Sequence, residues 1–400
     1  MKEPTNTTNK PEKTGNKTAV LFTVFFLIII FGFGILSFAN LTGYYINDET
    51  VNNEWTAEMG NKLETDISST FFRKFSFVNL NGAVRRFFRQ QEMNGVVKLN
   101  NGYLTEPLEI CPDESIRDYV HRTESFNTYL KNRGTALLYV SPPYTSSKWD
   151  PELPAGIEDY SNDNIDRLLA SLRAAGIDTL DFRETMAADG IDHYSMMYKT
   201  DHHWTTEAGF YAYRYLEKYI AEKTGCEIDP RVADIANYTV TKFDKWHLGS
   251  RGQRTGVYYT GIDDFVLIDP TFETIVEDPY GVTNPIHKYF FITEYLEERD
   301  LTSRYTYDSV LGGPAYLGHY KNPGSRNDVR ILMITDSFAK AVNPYLIMQF
   351  AEVNTFYNGS VTNITPQLIE EYDPDVVIML YYPHYINQNS GSFDFNFTDK

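Results

Sequence analysis

Five short strand-like runs constrain this chain more than any other feature. They fall at 136–140, 177–182, 329–334, 353–357 and 376–381. The first, Ala136-Leu137-Leu138-Tyr139-Val140, is unbroken rather than alternating, as expected of a strand covered on both faces. Helix-periodic stretches separate the runs. The spacing predicts helices over 165–175, closed by Gly176, over 338–349 and over 366–372. A further helix over 206–223 would present Ala208, Tyr211, Tyr215 and Tyr219 on one face, with Thr205 or Thr206 as its cap. Strands alternating with helices imply an α/β fold, a doubly wound, mostly parallel, five-stranded sheet.

The rhythm breaks between residues 226 and 326. This stretch is rich in Tyr, Thr, Gly, Asp and Pro, with one strand-like run at 265–268. It reads as an irregular insertion that covers or borders the site and lies outside the central sheet. Upstream, residues 113–131 suit a helix ended by Gly134. Residues 96–104 alternate around Asn101-Gly102, a hairpin signal. Residues 79–91 read as an amphipathic helix or a turn leading into one.

The N-terminus sets the compartment. Ala19 to Ala39 carry no charge and are rich in Phe, Ile, Leu and Val. That length crosses a hydrocarbon core of about 30 Å. Lys2, Lys10, Lys13 and Lys17 precede it, which predicts a cytoplasmic N-terminus and a body outside the cytoplasm. Ser37-Phe38-Ala39 also offers small residues for signal cleavage. The run is longer than a signal core of about 7–15 residues, which favours an uncleaved single-pass anchor in the cell membrane. The expected organisation is a cytoplasmic tail over 1–17, a transmembrane signal anchor over 18–40, a juxtamembrane segment over 41–92 and an extracytoplasmic domain over 93–400.

A net charge of −18 offers nothing built to neutralise phosphates, so nucleic acid is not an expected partner. Cys111 and Cys226 lie far apart; they permit one disulfide and imply no framework.

The chemistry gathers at two places. Ser337 follows a strand with four apolar residues, Ile331 to Ile334, and active groups collect beyond the carboxyl ends of parallel strands. Its own backbone N–H, opening a helix, would serve an oxyanion. His203 would be the general base and Asp201 its orienting carboxylate, completing a Ser-His-Asp set. Each residue also has a plain reading: Ser337 as a helix cap, Asp201 as a cap beside a packed His. His202 is the neighbouring alternative base, and an extended loop would point it away from His203. His193 and Asp192 are spares. A metal site built on Asp201, His202, His203 and Asp192 would suit a phosphoesterase, but no further carboxylate motif completes it, and none is expected. Trp204 and the Tyr-rich segments could stack on carbohydrate; core packing accounts for most such aromatics.

The loop Tyr198-Lys199-Thr200-Asp201-His202-His203-Trp204-Thr205 and the strand end Ile334-Thr335-Asp336-Ser337-Phe338 together resemble the DHHW family. This is a branch of the SGNH (GDSL-like) hydrolases, related to bacterial alginate O-acetylation proteins. The resemblance spans roughly residues 94 to 390. In ordinary SGNH enzymes the Ser comes early and the Asp/His pair last. Here the order is reversed, so the resemblance implies a circularly permuted fold. Starting from the Ser337 strand, the next strand ends at Tyr357, Asn358 and Gly359, where the superfamily places an oxyanion Gly. The oxyanion candidates are therefore Ser337, Tyr357 and Gly359. The Gly-x-Asn-Asp block usual after the third strand is missing. Asp-x-His spacing, rather than Asp-x-x-His, matches the acetylation branch.

The resemblance implies that Ser337 accepts an acetyl group and passes it to a sugar hydroxyl, with His203 and Asp201 activating it and no cofactor. Trp204, His202 and Arg254, the last in a polar Gly-Ser-Arg-Gly-Gln-Arg loop over 249–254, are the substrate-binding candidates. The implied acceptor is a cell-surface or secreted polysaccharide. The implied acetyl supplier is a membrane-bound O-acyltransferase. Two alternatives stand: a carbohydrate acetyl esterase with the same triad, and a non-catalytic polysaccharide-binding scaffold. The scaffold reading predicts that Ser337 and His203 are too far apart to hydrogen-bond.

Overall fold

The structure, a computed structural model, describes residues 14–47, 57–302, 304–357, 363–386, 391–395 and 397. The chain forms two compact units, Met1–Val78 and Asn79–Lys400.

The first unit holds the helices Thr14–Asn47 and Ala57–Thr70. Lys17–Tyr44 is long and apolar enough to cross a membrane, and none of it is buried inside the protein. An apolar surface on every side fits lipid, not a packed core. Phe33 packs edge-on against Phe77, and Ser37 Oγ accepts the Phe72 N–H at 3.1 Å.

The second unit begins within the helix Lys74–Phe87. A small antiparallel sheet follows: β1 (Glu92–Met93), β2 (Val96–Lys98) and β3 (Leu104–Thr105). The 96–104 hairpin is the β2–β3 pair. The helix Asp113–Lys131 then leads to β4 (Ala136–Ser141), and the helix Ser161–Ala174 to β5 (Asp178–Asp181). The insertion supplies β6 (Tyr238–His247), β7 (Asp263–Pro270), β8 (Ile275–Glu277), β9 (Thr283–Pro285) and β10 (Gly318–Lys321). The rhythm resumes with β11 (Arg330–Thr335), β12 (Glu352–Phe356) and β13 (Val376–Leu380).

The central sheet runs β5-β4-β13-β11-β12-β10-β8-β9. From β5 to β12 every pairing is parallel, so the five expected strands form a contiguous doubly wound block. The side chains of β13 and nearly all of β11 are buried, consistent with their unbroken apolar runs.

Two expectations need correction. The insertion does not stay outside the sheet. β10 pairs antiparallel with β12 at Tyr320↔Val353 and Lys321↔Glu352, and β8 and β9 extend that edge. Left bare, β12 would expose unpaired N–H and C=O groups, and the insertion covers them. The helix expected over 338–349 is also not continuous. A 3-10 turn over Ser337–Ala341 precedes a separate helix over Asn343–Gln349. Pro344 sits in the first turn of that helix, where its missing N–H costs nothing.

β6 and β7 form a separate hairpin, in which the run at 265–268 is part of an eight-residue strand. It packs against the helix Thr206–Thr224, whose Thr206 Oγ1 donates to Val266 O at 2.6 Å. The Thr205 side chain caps that helix by accepting the Ala208 N–H.

Candidate active site

Ser337 lies just beyond the end of β11, between β13 and β12. Its position is fixed by the residue before it. The carboxylate of Asp336 accepts the Phe338 N–H at 2.9 Å and the Tyr382 N–H at 2.6 Å, which ties the end of β11 to the segment after β13. Thr335 Oγ1 adds a second tie, donating to Leu380 O at 2.8 Å. Burial pushes the Asp336 carboxyl up to about 6, and its two backbone hydrogen bonds oppose that shift. The Ser337 N–H, the first of the turn, donates to no acceptor among the described residues.

The His loop is held from below by Asp263. Its carboxylate accepts the Lys199 N–H at 2.9 Å and the Thr200 N–H at 2.7 Å. From the side, Gly252 N–H donates to Thr200 O at 2.8 Å and the Arg251 guanidinium to Asp201 O at 3.2 Å. Trp204 links the loop to the Ser turn by donating its ring N–H to Phe338 O at 3.0 Å.

These supports bring His203 Nε2 within 2.7 Å of Ser337 Oγ, in hydrogen-bond range for a base and its nucleophile. Asp201 Oδ1 is 3.3 Å from His203 Nδ1. That approach is close but unaligned, because Nδ1 is buried and forms no hydrogen bond. Apo triads are often loose in this way and tighten around substrate. The Asp201 carboxylate also meets two other imidazoles. His202 Nδ1 is 2.9 Å from Oδ1, and His247 Nε2 is 3.0 Å from Oδ2.

The electrostatics suit base catalysis. Burial works against the Asp201 charge, but the imidazoles of His203 and His202 outweigh it and hold the carboxyl well below the usual range. Burial, helped by the neighbouring His202, pushes His203 down to about 4 against the pull of Asp201. At neutral pH His203 is therefore a neutral imidazole able to take the Ser337 proton.

A cavity of about 270 Å³ opens over Ser337, lined by His202, His203, Ser250, Tyr305, Tyr307 and Lys340 among others. A larger cleft, about 820 Å³, sits near Lys131, Lys223 and Arg330 at the other end of the sheet, and the Ser–His pair is not in it.

The other candidates are placed as follows. His202 lines the cavity, yet its ring lies only 3.9 Å from that of His203. The expectation that it points away is corrected: the loop bends at Asp201, whose Oδ1 accepts the His202 N–H at 2.7 Å. Trp204 is fully buried and offers no face to a sugar, which corrects the stacking expectation. Arg254 pairs with Glu106 and does not line the cavity. Tyr357 follows the last residue of β12, with its ring 5.9 Å from that of Tyr385. Gly359 lies outside the described residues. His193 and Asp192 form a separate turn, where His193 Nε2 meets Thr145 O at 3.2 Å and the Asp192 side chain accepts the Ser195 N–H. Asp201, His202 and His203 could together hold a metal ion, their ligand atoms lying within 4.8 Å of one another. Both cysteines are free thiols.

Three site residues carried no sequence signal. His247 is a lone His at the end of β6. Tyr307 stacks on the His203 ring with centroids 4.5 Å apart, and Lys340 pairs with Asp308; both reach the site only through the fold. Arg251 is fully buried and joins Glu106, Thr145, Asp201 O and Tyr382 into one frame behind the loop.

Close packing makes the loop sensitive to volume. A Cβ at Gly249 would stand 2.2 Å from Asp201 Cβ, although Gly249 has ordinary extended backbone. Gly249→Ala should therefore displace Asp201 and lower turnover by about tenfold to a hundredfold, as small misplacements of catalytic groups do. Steady-state kinetics beside the melting temperature will separate that loss from unfolding.

The His203 shift also sets a pH dependence of stability. The unfolded imidazole takes its proton near pH 6.5, the buried one near 4. Between these values the unfolded state binds more protons, so stability falls as pH drops from about 6.5 to 4, by up to about 3 kcal/mol. Above 6.5 the contribution is fully present. Urea unfolding at several pH values should show this slope, and His203→Asn should flatten it.

The site is thus a serine at the tip of a central parallel strand, set against an Asp-x-His loop at the head of a helix. Residues 103–239 match the family model of the SGNH hydrolase-like domain of acetyltransferase AlgX. That match takes in Asp201, His202 and His203 and stops short of Ser337. No curated protein matches the chain. Among solved structures, Bacillus cereus PatB1 is similar at 18% identity, covering 75% of this chain and 99% of its own, with a TM-score of 0.59. The same protein with a sulfonyl adduct aligns at 18% identity over 75% and 99%, with a TM-score of 0.57. A DHHW family protein from Eubacterium siraeum aligns at 13% identity over 76% and 96%, with a TM-score of 0.53. At these identities the likeness is one of fold. Residues 103–239 are thus similar to an SGNH hydrolase-like domain, and the fold over about three quarters of the chain is like that of PatB1 and of the DHHW family protein.

Proposed function

We propose that this protein is a membrane-anchored O-acetyltransferase acting outside the cytoplasm on a cell-surface or secreted polysaccharide. The observation that carries the reading is the 2.7 Å contact between His203 Nε2 and Ser337 Oγ, with Asp201 behind it. The scaffold reading expected those groups to be apart.

In the proposed reaction Ser337 Oγ attacks the carbonyl carbon of an acetyl donor while His203 Nε2 takes the hydroxyl proton. The tetrahedral oxyanion meets the Ser337 N–H, and the leaving group departs with the proton from His203. The acetyl group is then an ester on Ser337. An acceptor hydroxyl, deprotonated by His203, attacks that ester, and Ser337 leaves with the proton. Asp201 stays ionised and stabilises the imidazolium formed in each half. His202 and Lys340 line the cavity, which supports a role for them beside the acceptor. The apolar N-terminal helix supports the anchor, and the lysines before it support an outward-facing domain. A membrane-bound O-acyltransferase would supply the acetyl group.

An acetyl esterase uses the same residues, with water as the acceptor. The two part in one experiment. Purified full-length protein is given a chromogenic acetyl ester with and without oligosaccharides. The transferase reading expects acetylated sugar and faster donor consumption as acceptor rises. Donor consumption that ignores every sugar, with acetate as the sole product, assigns the esterase.

A further inference from the structure

The helix Lys74–Phe87 has a face that the chemistry does not use. Its inner face within the second unit is fixed. A Cβ at Gly82 would stand 2.3 Å from Thr255 O, so the helix sits directly on that segment. Asn79 Oδ1 accepts the Val257 N–H at 2.8 Å, and Arg86 donates to Tyr258 O at 3.3 Å. The helix is therefore not free to roll.

Its outer face is apolar and open. Leu80 is 62% exposed, Val84 47%, Phe87 80% and Phe88 66%. The spacing of three to four residues makes them one stripe. In a soluble surface such a stripe is a cost without a partner.

Charge identifies the partner. The chain as a whole carries −18, yet no acidic residue occurs between Asp66 and Glu92. Arg85, Arg86 and Arg89 flank the stripe, and none of the three pairs with a carboxylate among the described residues. Guanidiniums without a carboxylate partner around exposed Phe and Leu are the composition of a helix lying in a lipid interface. Arg85 and Arg86 meet only neutral acceptors, Gln90 Oε1 with Glu92 O and Tyr258 O, so the positive charge is not neutralised by a carboxylate among the described residues.

We propose that this face docks on the surface of a membrane bearing anionic lipid headgroups, with Leu80, Val84, Phe87 and Phe88 in the headgroup–acyl boundary. Docking adds a second hold to that of the N-terminal apolar helix. It also orients the catalytic unit. Thr255, against which Gly82 packs, closes the short helix Ser250–Thr255, whose Ser250 lines the cavity. The site thus lies one helix away from the docked surface. The inference stands apart from the acetyl-transfer reading, since it needs only the helix and the lipid.

The test uses the full chain in vesicles, with Cys226→Ser and Phe87→Cys carrying a bimane label. A second sample is labelled at Asp113→Cys, whose side chain is 76% exposed. Vesicles are phosphatidylcholine alone or mixed with phosphatidylglycerol, with brominated acyl chains as the lipid quencher and iodide on both sides as the aqueous one. In anionic vesicles the label at 87 should be quenched by brominated lipid and shielded from iodide, while the label at 113 shows the reverse. Reversing Arg85, Arg86 and Arg89 to Glu should shift the docked-to-free ratio by on the order of a hundredfold, since each cation near an anionic surface contributes several-fold. Three results would overturn the proposal. The label at 87 is open to iodide in both vesicle types. It is quenched equally in neutral vesicles. It is shielded from iodide without lipid quenching, which means protein covers the face.

Discussion

Ser337→Ala should abolish turnover of an acetyl ester, lowering kcat by about 10⁴-fold or more, with little change in stability. The size follows from the role. Without Oγ there is no atom 2.7 Å from His203 to attack a carbonyl, and no ester intermediate forms. Residual rate comes only from binding and the oxyanion donor. Stability should hold because the backbone of the turn is fixed by Asp336 and Thr335, not by the Ser337 side chain. The check is steady-state kinetics beside thermal melts of wild type and variant. Full activity in a folded Ser337→Ala protein would assign the nucleophile elsewhere.

Asp201→Asn should cost about 10⁴-fold in kcat, and unlike Ser337→Ala it should also destabilise the fold. One carboxylate serves His203, His202 and His247 and accepts the His202 N–H. An amide has one accepting oxygen and presents N–H donors where an imidazole N–H needs an acceptor. His203 then loses its preferred tautomer, and buried His247 loses the partner of its Nε2. Leaving buried polar groups unpaired costs about 1–3 kcal/mol each, so a loss of about 2–4 kcal/mol is expected from denaturant unfolding. A variant as stable as wild type would mean that the three imidazoles do not depend on Asp201.

Much of this architecture was legible in the residues. The unbroken runs at 136–140 and 376–381 became β4 and β13, and the Ser337 and Asp-x-His elements came together. What escaped the sequence has physical causes. β10 is Gly-His-Tyr-Lys, with no apolar pattern, and becomes a strand because the edge of β12 needs cover. Pro344 sits inside a helical pattern, and its start-of-helix signal was outweighed by periodicity. Trp204, beside two histidines, reads as a ligand-facing aromatic, but its ring N–H finds Phe338 O in the core. The direction of His202 depends on a bend at Asp201 that no spacing rule contains. His247 and Tyr307 join the site from the insertion, whose path is set by tertiary packing.

The most direct measurement of the central claim is to trap the acyl-enzyme. Full-length protein mixed with an activated acetyl ester is quenched in acid within the first turnover and digested for mass spectrometry. A single acetyl group is expected on the peptide holding Ser337, absent in Ser337→Ala and strongly reduced in His203→Ala. A stoichiometric acetyl group on another residue, or rapid ester turnover with Ser337 unmodified at every time point, would contradict the account.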